Sequence, residues 1–302
     1  MLVSIVIPVR NRPALVRAAV ASCLAQNWKA FEVVVVDDAS TDETPAVLHE
    51  LAAADARIRC VFLDQATGGQ GARIAGFQAS RGDAIAFLDS DDQLTADSIA
   101  CRVPFLEDPE TGMVYGDLRV EEAAQVRTIA FPRLTGRVWP ILLREMSLCP
   151  ASVMLIRAAA LRERLPSADF PAWQDDDLTL TVARSWKIAH CGGIVARSIA
   201  VARESISGNE WNRARGCARM VRKYARDIRR QWGCGRLGLW YLRIVHAFLR
   251  GWTQRVRARA EILRTRGCQR QARAYLAVAG ALDRAARRLG RFLSRRFEWM
   301  WA

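Results

Sequence analysis

Two stretches place acids directly behind an apolar run: AIAFLDSDD, which ends in Asp89, Ser90, Asp91 and Asp92, and FEVVVVDDAS, which carries Asp37 and Asp38. Side chains of an extended segment alternate in direction, so Asp89 and Asp91 point the same way. A carboxylate pair of this kind is a hard-oxygen site suited to Mg2+ or Mn2+, and it leaves ligand positions for water and for substrate phosphates. The same residues also have a local use. Asp91 and Asp92 can cap a helix beginning near Thr95, and Asp37-Asp38, with Ser40 and Thr41, can serve the next helix in the same way. Any metal chemistry must rely on carboxylates. The histidines His49, His190 and His246 are scattered, and the eight cysteines are spaced far beyond the two to four residues or so of a metal knuckle. These thiols read as reduced and mostly buried, in a cytosolic protein.

The elements that position the acids alternate. Val3 to Val9 reads as a strand, Ala14 to Gln26 as a helix, Phe31 to Val36 as a strand and the stretch from Thr41 to Ala54 as a helix opening. Ile58 to Leu63 is a third strand, the GGQGAR segment leads into a helix ending near Arg81, and Ile85 to Leu88 is a fourth strand. Continuous apolar strands separated by helices form a parallel sheet covered on both faces, and ligands gather at the carboxyl ends of such strands. Both acidic pairs lie at such ends. Further on, Gly112 to Tyr115 and Ala151 to Ile156 read as strands, and Ala158 to Arg164 and Leu178 to Arg184 as helices. With 302 residues, 51% of them apolar, the chain is globular and not disordered. Its opening MLVSIVIPV reads as a first strand and not as a secretion signal. No stretch reaches the ~18 uncharged apolar residues of a spanning helix.

SIVIPVRNR, FEVVVVDDASTDET, GARIAGFQASRGDAIAFLDSDD and WQDDDLTLTVAR, in this order, resemble the motifs of family 2 glycosyltransferases, inverting enzymes with the GT-A nucleotide-diphosphate-sugar fold. The resemblance covers residues 2 to 204 and implies a Rossmann-like, mostly parallel sheet. It also implies that Pro8, Val9 and Arg10 lie along the nucleoside, that Asp38 hydrogen-bonds the base, most often uracil, and that Arg73 stands near the diphosphate. Asp89, Ser90 and Asp91 match the DxD segment, with Asp91 the direct ligand of Mn2+ or Mg2+ and Asp89 nearer the ribose. Asp175 matches the general base that deprotonates the acceptor hydroxyl, and Asp176 takes that role if the register shifts by one. Their other use is at the N-terminus of the helix expected from Leu178, where acids complement the dipole. Trp173 is a candidate to stack on an acceptor sugar, or else a core or lid tryptophan. The chain departs from the family where Arg10 replaces a frequent aromatic residue, where Ile74 follows Arg73, and where Gln174 precedes the acids.

The charge is split along the chain. Lys and Arg number 45 against 31 Asp and Glu, yet from Ser205 onward there are 24 basic and 5 acidic residues, so the earlier part is net negative. This divides the chain into a GT-A domain, residues 1–205, and an Arg- and Trp-rich helical region, residues 206–302, with breaks expected at Gly233-Cys234-Gly235 and Gly267. Arginine recurs every seventh residue from Arg215 to Arg264, so Arg243, Arg250 and Arg257 form one stripe of a helix. Tyr241, Ile244, Val245, Phe248, Leu249, Trp252 and Val256 fall on the opposite arc. Residues 237–256 therefore read as a basic amphipathic helix for an anionic membrane surface, with Phe297, Trp299, Met300 and Trp301 as an interfacial anchor. The competing use is packing against protein. Nucleic acid is disfavoured, because no recognition motif accompanies the arginines. Together these features predict a cytoplasmic enzyme, peripheral on the inner face of the cytoplasmic membrane. It would transfer a sugar from a nucleotide-diphosphate-sugar donor, in particular a UDP-sugar, to a saccharide or glycolipid acceptor. A nucleotide-sugar-binding module without catalysis and a nucleotidyltransferase are the alternatives.

Overall fold

The computed structural model describes residues 1–122, 125–199, 209–265 and 269–294. They form two compact units. The first contains Met1–Leu142, Met146–Asp169 and Gln174–Ala202, and the second contains Leu143–Glu145, Phe170–Trp173 and Arg203–Ala302. The second unit thus includes two short segments that the sequence division at residue 205 assigned to the GT-A domain.

In the first unit the parallel strands β1 (Val3–Val9), β2 (Phe31–Asp37), β3 (Ile58–Phe62) and β4 (Ala84–Phe87) lie in the order β3-β2-β1-β4. β1 and β2 are almost wholly buried and rich in valine and isoleucine, because helices cover both faces. These helices are α1 (Pro13–Leu24), α2 (Thr44–Ala54) and α3 (Gly68–Ala79). α3 approaches the sheet so closely that a Cβ on Gly76 would lie 2.3 Å from Val6 Cγ1 and 2.9 Å from Val36 Cγ2.

Beyond β4 the structure differs from the sequence expectation. No helix begins at Thr95. Asp92–Leu94 is a short strand, β5, antiparallel to a later one, and α4 begins at Ser98 (Ser98–Arg102). The stretch 151–156 divides into one 3-10 turn, Ala151–Val153, and a strand. The remaining strands are β6 (Thr111–Glu122), β7 (Gln125–Ile129), β8 (Met154–Arg157) and β9 (Lys187–Ile199); the sheet continues as β4-β8-β6-β9-β5, and β7 pairs with β6 off this path. β9 is not expected from the sequence pattern, since Gly192-Gly193 interrupts its apolar run. Here Gly192 takes a φ of +81° where the β6–β9 pairing shifts register near Asp117. Three further helices belong to this part of the chain: α5 (Trp139–Glu145), α6 (Ala158–Glu163) and α7 (Gln174–Ala183). α7 starts four residues before the expected Leu178, so Asp175, Asp176 and Asp177 occupy its first turn.

The second unit is built on α8 (Glu210–Thr265) and α9 (Gln269–Ser294). α8 breaks at Gly233, whose φ of 75° and ψ of 177° favour glycine. The break expected at Gly267 lies outside the described residues. α9 returns antiparallel along α8, with Asp283 3.1 Å from Arg257 and Gly290 beside His246. Its buried residues Ala272, Ala279, Ala286 and Leu293 recur every seven positions, and Thr253 and Ala260 of α8 are buried too. Small residues at such positions let two helices approach closely.

Five of the periodic arginines meet an acid or an aromatic ring within this unit, while Arg250, Arg257 and Arg264 keep about half of their side chains exposed. Arg236 lies 3.4 Å from Glu145, Arg250 2.6 Å from Glu210, Arg257 3.1 Å from Asp283 and Arg264 3.4 Å from Glu261. The Arg243 guanidinium sits 4.6 Å from the Trp240 ring centre. A helical projection of one segment shows which residues share a face, but not that the fold supplies acids and rings opposite them. The apolar arc is divided as well. Phe248 packs edge-to-face on Trp211 at 5.2 Å, whereas Tyr241, Val245 and Trp252 stay about half exposed, at 51%, 49% and 56%. The terminal aromatic residues 297–301 lie outside the described residues. Among those described, no helix is long and apolar enough to cross a membrane.

Candidate active site

The candidate site lies where β1, β2 and β4 end, and all its acids come from the first unit. Pro8 and Val9 close β1, and Val9 pairs with Asp37 of β2. Arg10 follows and is exposed. Asp38 is buried, and both its carboxylate oxygens hold the start of α3. Oδ1 accepts from the N–H of Thr67 at 2.6 Å and from its hydroxyl at 2.9 Å, and Oδ2 accepts from Gly68 N–H at 2.9 Å. The cap reading of the second acidic pair therefore has substance, applied to α3 and not to the helix directly after β2.

Arg73 stands at the centre. It projects from α3 with a side chain only 6% exposed, and its guanidinium reaches Asp89 Oδ1 at 2.5 Å and Asp175 Oδ1 at 3.1 Å. It also donates to Gln174 Oε1 at 3.3 Å and to Gln70 Oε1 at 3.4 Å. Burial raises the Asp175 carboxyl above the usual aspartate range, and the Arg73 charge opposes that rise. The sequence resemblance puts Arg73 near the diphosphate; here it bridges two acids 86 positions apart in the chain. No local pattern encodes that juxtaposition.

The 3-10 turn at Ala151–Val153 supports both acids. Ser152 Oγ accepts from the Asp89 N–H at 3.1 Å, and the Ala151 N–H donates to Asp175. Fully buried Arg102 secures this turn from behind, donating to Val153 O at 3.0 Å. Asp176 is partly exposed one position further round the helix, about 100° from Asp175. Asp177 is buried and accepts from the Ser167 N–H at 2.8 Å, which makes it an anchor of the incoming loop. Asp92 is also buried, and burial together with nearby Asp89 pushes its carboxyl up to about 7.

Trp173 is placed within the second unit. It has a φ of 68°, its indole N–H donates to Arg213 O at 3.1 Å, and the Arg243 guanidinium lies 5.0 Å from its ring centre. Arg12, which the sequence reading did not select, reaches Asp91 Oδ2 at 2.9 Å and donates to Ser90 Oγ at 3.2 Å. Its only sequence signal is its place in the PVRNR segment after β1.

Asp89 and Asp91 offer hard oxygen donors on one loop, so they fit Mg2+ or Mn2+ as a two-carboxylate site completed by phosphate oxygens. Among the described residues no group of three or more His, Cys, Asp or Glu is placed to hold an ion by itself.

A curled sheet whose parallel strands β2 and β4 each lead into paired acids has the architecture of a GT-A transferase fold. The sequence model described as Glycosyl transferase family 2 matches residues 4–164, more than half of the chain, and the chain belongs to that family. It is 34% identical over 121 residues to the UDP-Glc:alpha-D-GlcNAc-diphosphoundecaprenol beta-1,3-glucosyltransferase WfaP of Escherichia coli, a match covering 40% of this chain and 47% of that protein. It is 26% identical over 237 residues to WfgD of the same organism, named for the same reaction, covering 76% of this chain and 84% of that one. The chain thus spans about half the length of WfaP, at 47%, and most of WfgD, at 84%. Among solved structures, residues 1–349 of S. aureus TarS in complex with UDP-GlcNAc align with a TM-score of 0.58 at 16% identity, covering 99% of this chain and 92% of that one. At such identity the likeness is one of fold.

Proposed function

We propose that the chain is a metal-dependent, inverting glycosyltransferase. It moves a sugar from a nucleotide diphosphate donor, uridine-based, to a hydroxyl of a lipid-linked saccharide or growing surface glycan. The observation that carries this reading is the Arg73 bridge, in which one buried guanidinium ties the acid behind β4 to the acid opening α7. A displacement at an anomeric carbon needs one group to hold the donor and another, on the acceptor side, to accept a proton. Asp175 takes the proton from the acceptor hydroxyl while the hydroxyl oxygen attacks the anomeric carbon. The bond from that carbon to the diphosphate breaks on the opposite side, so the configuration inverts and a nucleoside diphosphate leaves. Pro8, Val9 and Arg10 flank the nucleoside, Asp38 addresses the base, and Ser90 and Asp89 stand toward the ribose and diphosphate. When bound, Mn2+ or Mg2+ held by Asp91 and Asp89 supplies Lewis-acid neutralisation of the leaving group.

The names of WfaP and WfgD, with a UDP-glucose donor and a diphosphoundecaprenol acceptor, support this donor and acceptor class. So does the UDP-GlcNAc in the TarS complex. An acceptor of that kind lies in a membrane, and the cationic second unit suits a peripheral position on the inner face of the cytoplasmic membrane.

Thermal melting against a panel of nucleoside diphosphates, with Mn2+ or with EDTA, tests the donor site. A ligand at about 100 times its dissociation constant adds roughly 2.7 kcal/mol, which moves the midpoint by several degrees. The expected result is a shift with UDP that needs both metal and an intact Asp91. Absence of a shift with every nucleotide would remove the reading. Release of a nucleoside diphosphate, and not pyrophosphate, on turnover separates it from a nucleotidyltransferase.

A further inference from the structure

Both acids of the Asp89-Ser90-Asp91 loop already have a guanidinium on them. Arg73 holds Asp89 at 2.5 Å, and Arg12 holds Asp91 at 2.9 Å. The two arginines are not equivalent. Arg73 is 6% exposed and is fixed by Asp175, Gln174 and Gln70 as well. Arg12 is 29% exposed, and the contacts of its guanidinium among the described residues are Asp91 and the Ser90 hydroxyl.

Its backbone, in contrast, is fixed. The Arg12 N–H donates to Thr44 Oγ1 at 3.0 Å, and Asn11 before it takes a φ of 52°, donating its N–H to Ser40 Oγ at 2.9 Å and accepting from Thr41 N–H at 2.8 Å. Pro13 begins α1 directly after it. A long cationic side chain on a fixed base, held at its tip by one half-exposed ion pair and one hydrogen bond to a hydroxyl, can exchange partners without moving the loop. The guanidinium fork suits two phosphate oxygens at least as well as one carboxylate.

We propose that Arg12 is a resident counter-ion that closes Asp91 to a divalent cation until a nucleoside diphosphate arrives, and then transfers its guanidinium to the diphosphate. The proposal rests on the metal and donor reading above. It makes metal and nucleotide mutually cooperative, because each weakens the contact that excludes the other, and the coupling must be reciprocal.

The test uses the full chain, with Mn2+ binding followed by electron paramagnetic resonance and UDP binding in EDTA by calorimetry, for wild type, Arg12→Gln and Arg12→Lys. Melting without ligand shows that each variant is folded. Arg12→Gln is expected to bind Mn2+ alone about three- to fivefold more tightly, the factor that a half-exposed ion pair supplies. The same variant should bind UDP in EDTA several-fold more weakly. Arg12→Lys keeps the charge, so its Mn2+ affinity stays near wild type while UDP affinity falls with the loss of the fork. Unchanged Mn2+ and UDP affinities in Arg12→Gln overturn the proposal and reduce Arg12 to a loop ion pair. Tighter Mn2+ with unchanged UDP overturns the transfer to the diphosphate. If wild type binds UDP but takes up no Mn2+ even with UDP present, the metal reading itself falls, and the counter-ion role with it.

Discussion

Asp175 and Arg73 have opposed influences that make the chemistry testable one side chain at a time. Asp175→Asn keeps the shape and removes the proton acceptor, so turnover should fall by about 10^2 to 10^4. UDP affinity should stay within a few-fold. An equal loss of binding and turnover would mean that the acid holds donor and is not the base. The acidic limb of the wild-type kcat/KM profile should lie above the ordinary aspartate value, because burial raises the carboxyl. Arg73 pulls in the other direction, so Arg73→Gln should move that limb to higher pH; a limb unmoved by this change would dissociate Arg73 from the base. The acids themselves were legible because each follows an apolar run. Their connection was not, since the direction in which Arg73 points is decided by Asp89 and Asp175 at once, and Asp175 arrives from a helix on the far side of β8 and β6 in the chain. Arg12 is not legible in the sequence for a similar reason: its partner Asp91 is contributed by another strand end.

Elements with an uninterrupted period were readable, and those whose period is broken by their own function were not. β1 and β2 come out within a few residues of their pattern, because burial on both faces makes them nearly continuous apolar runs. α7 was placed four residues late since QDDD carries no apolar signal, although acids in a first turn are favourable to the helix dipole. Two predictions belong to packing at this scale. Gly76→Ala should lower stability by about 1–3 kcal/mol, because overpacking against Val6 and Val36 exceeds the gain in helix propensity. Denaturant midpoints with an unchanged slope check this, and an unchanged midpoint would mean that α3 can retreat from the sheet. In the hairpin, half-buried His246 has its pKa lowered by burial and then by Arg250, so the folded form favours the neutral ring. A base with a lowered folded pKa contributes stability that is present above the unfolded value of about 6.5 and lost as pH falls through it. Amides of α8 and α9 should therefore exchange faster at pH 5.5 than at pH 7.5 after correction for intrinsic rates, and His246→Gln should remove the difference.

For the whole molecule, the decisive fact is that one polypeptide carries two opposite charge characters, a net negative first part and an arginine-rich helical unit. Neutralising partners inside that unit consume part of its charge, as Arg250 does with Glu210 and Arg257 with Asp283. The surplus still faces solvent, together with Tyr241, Val245 and Trp252 of α8 and Val278 and Phe292 of α9. Exposed aromatic and branched side chains among surplus arginines suit the headgroup layer of an anionic bilayer, where apolar insertion and charge attraction add. The full chain should therefore co-sediment with vesicles rich in anionic lipid and much less with zwitterionic ones, and salt should release it only in part, since screening weakens charge attraction and leaves insertion intact. Trp252→Glu should weaken vesicle binding about tenfold to a hundredfold, from the roughly 1.5–3 kcal/mol that a large apolar side chain gains on burial, while UDP affinity stays unchanged. Equal binding by wild type and Trp252→Glu would exclude insertion through this face. The same loss accompanied by a change from dimer to monomer in sedimentation would assign the face to a second copy of the chain.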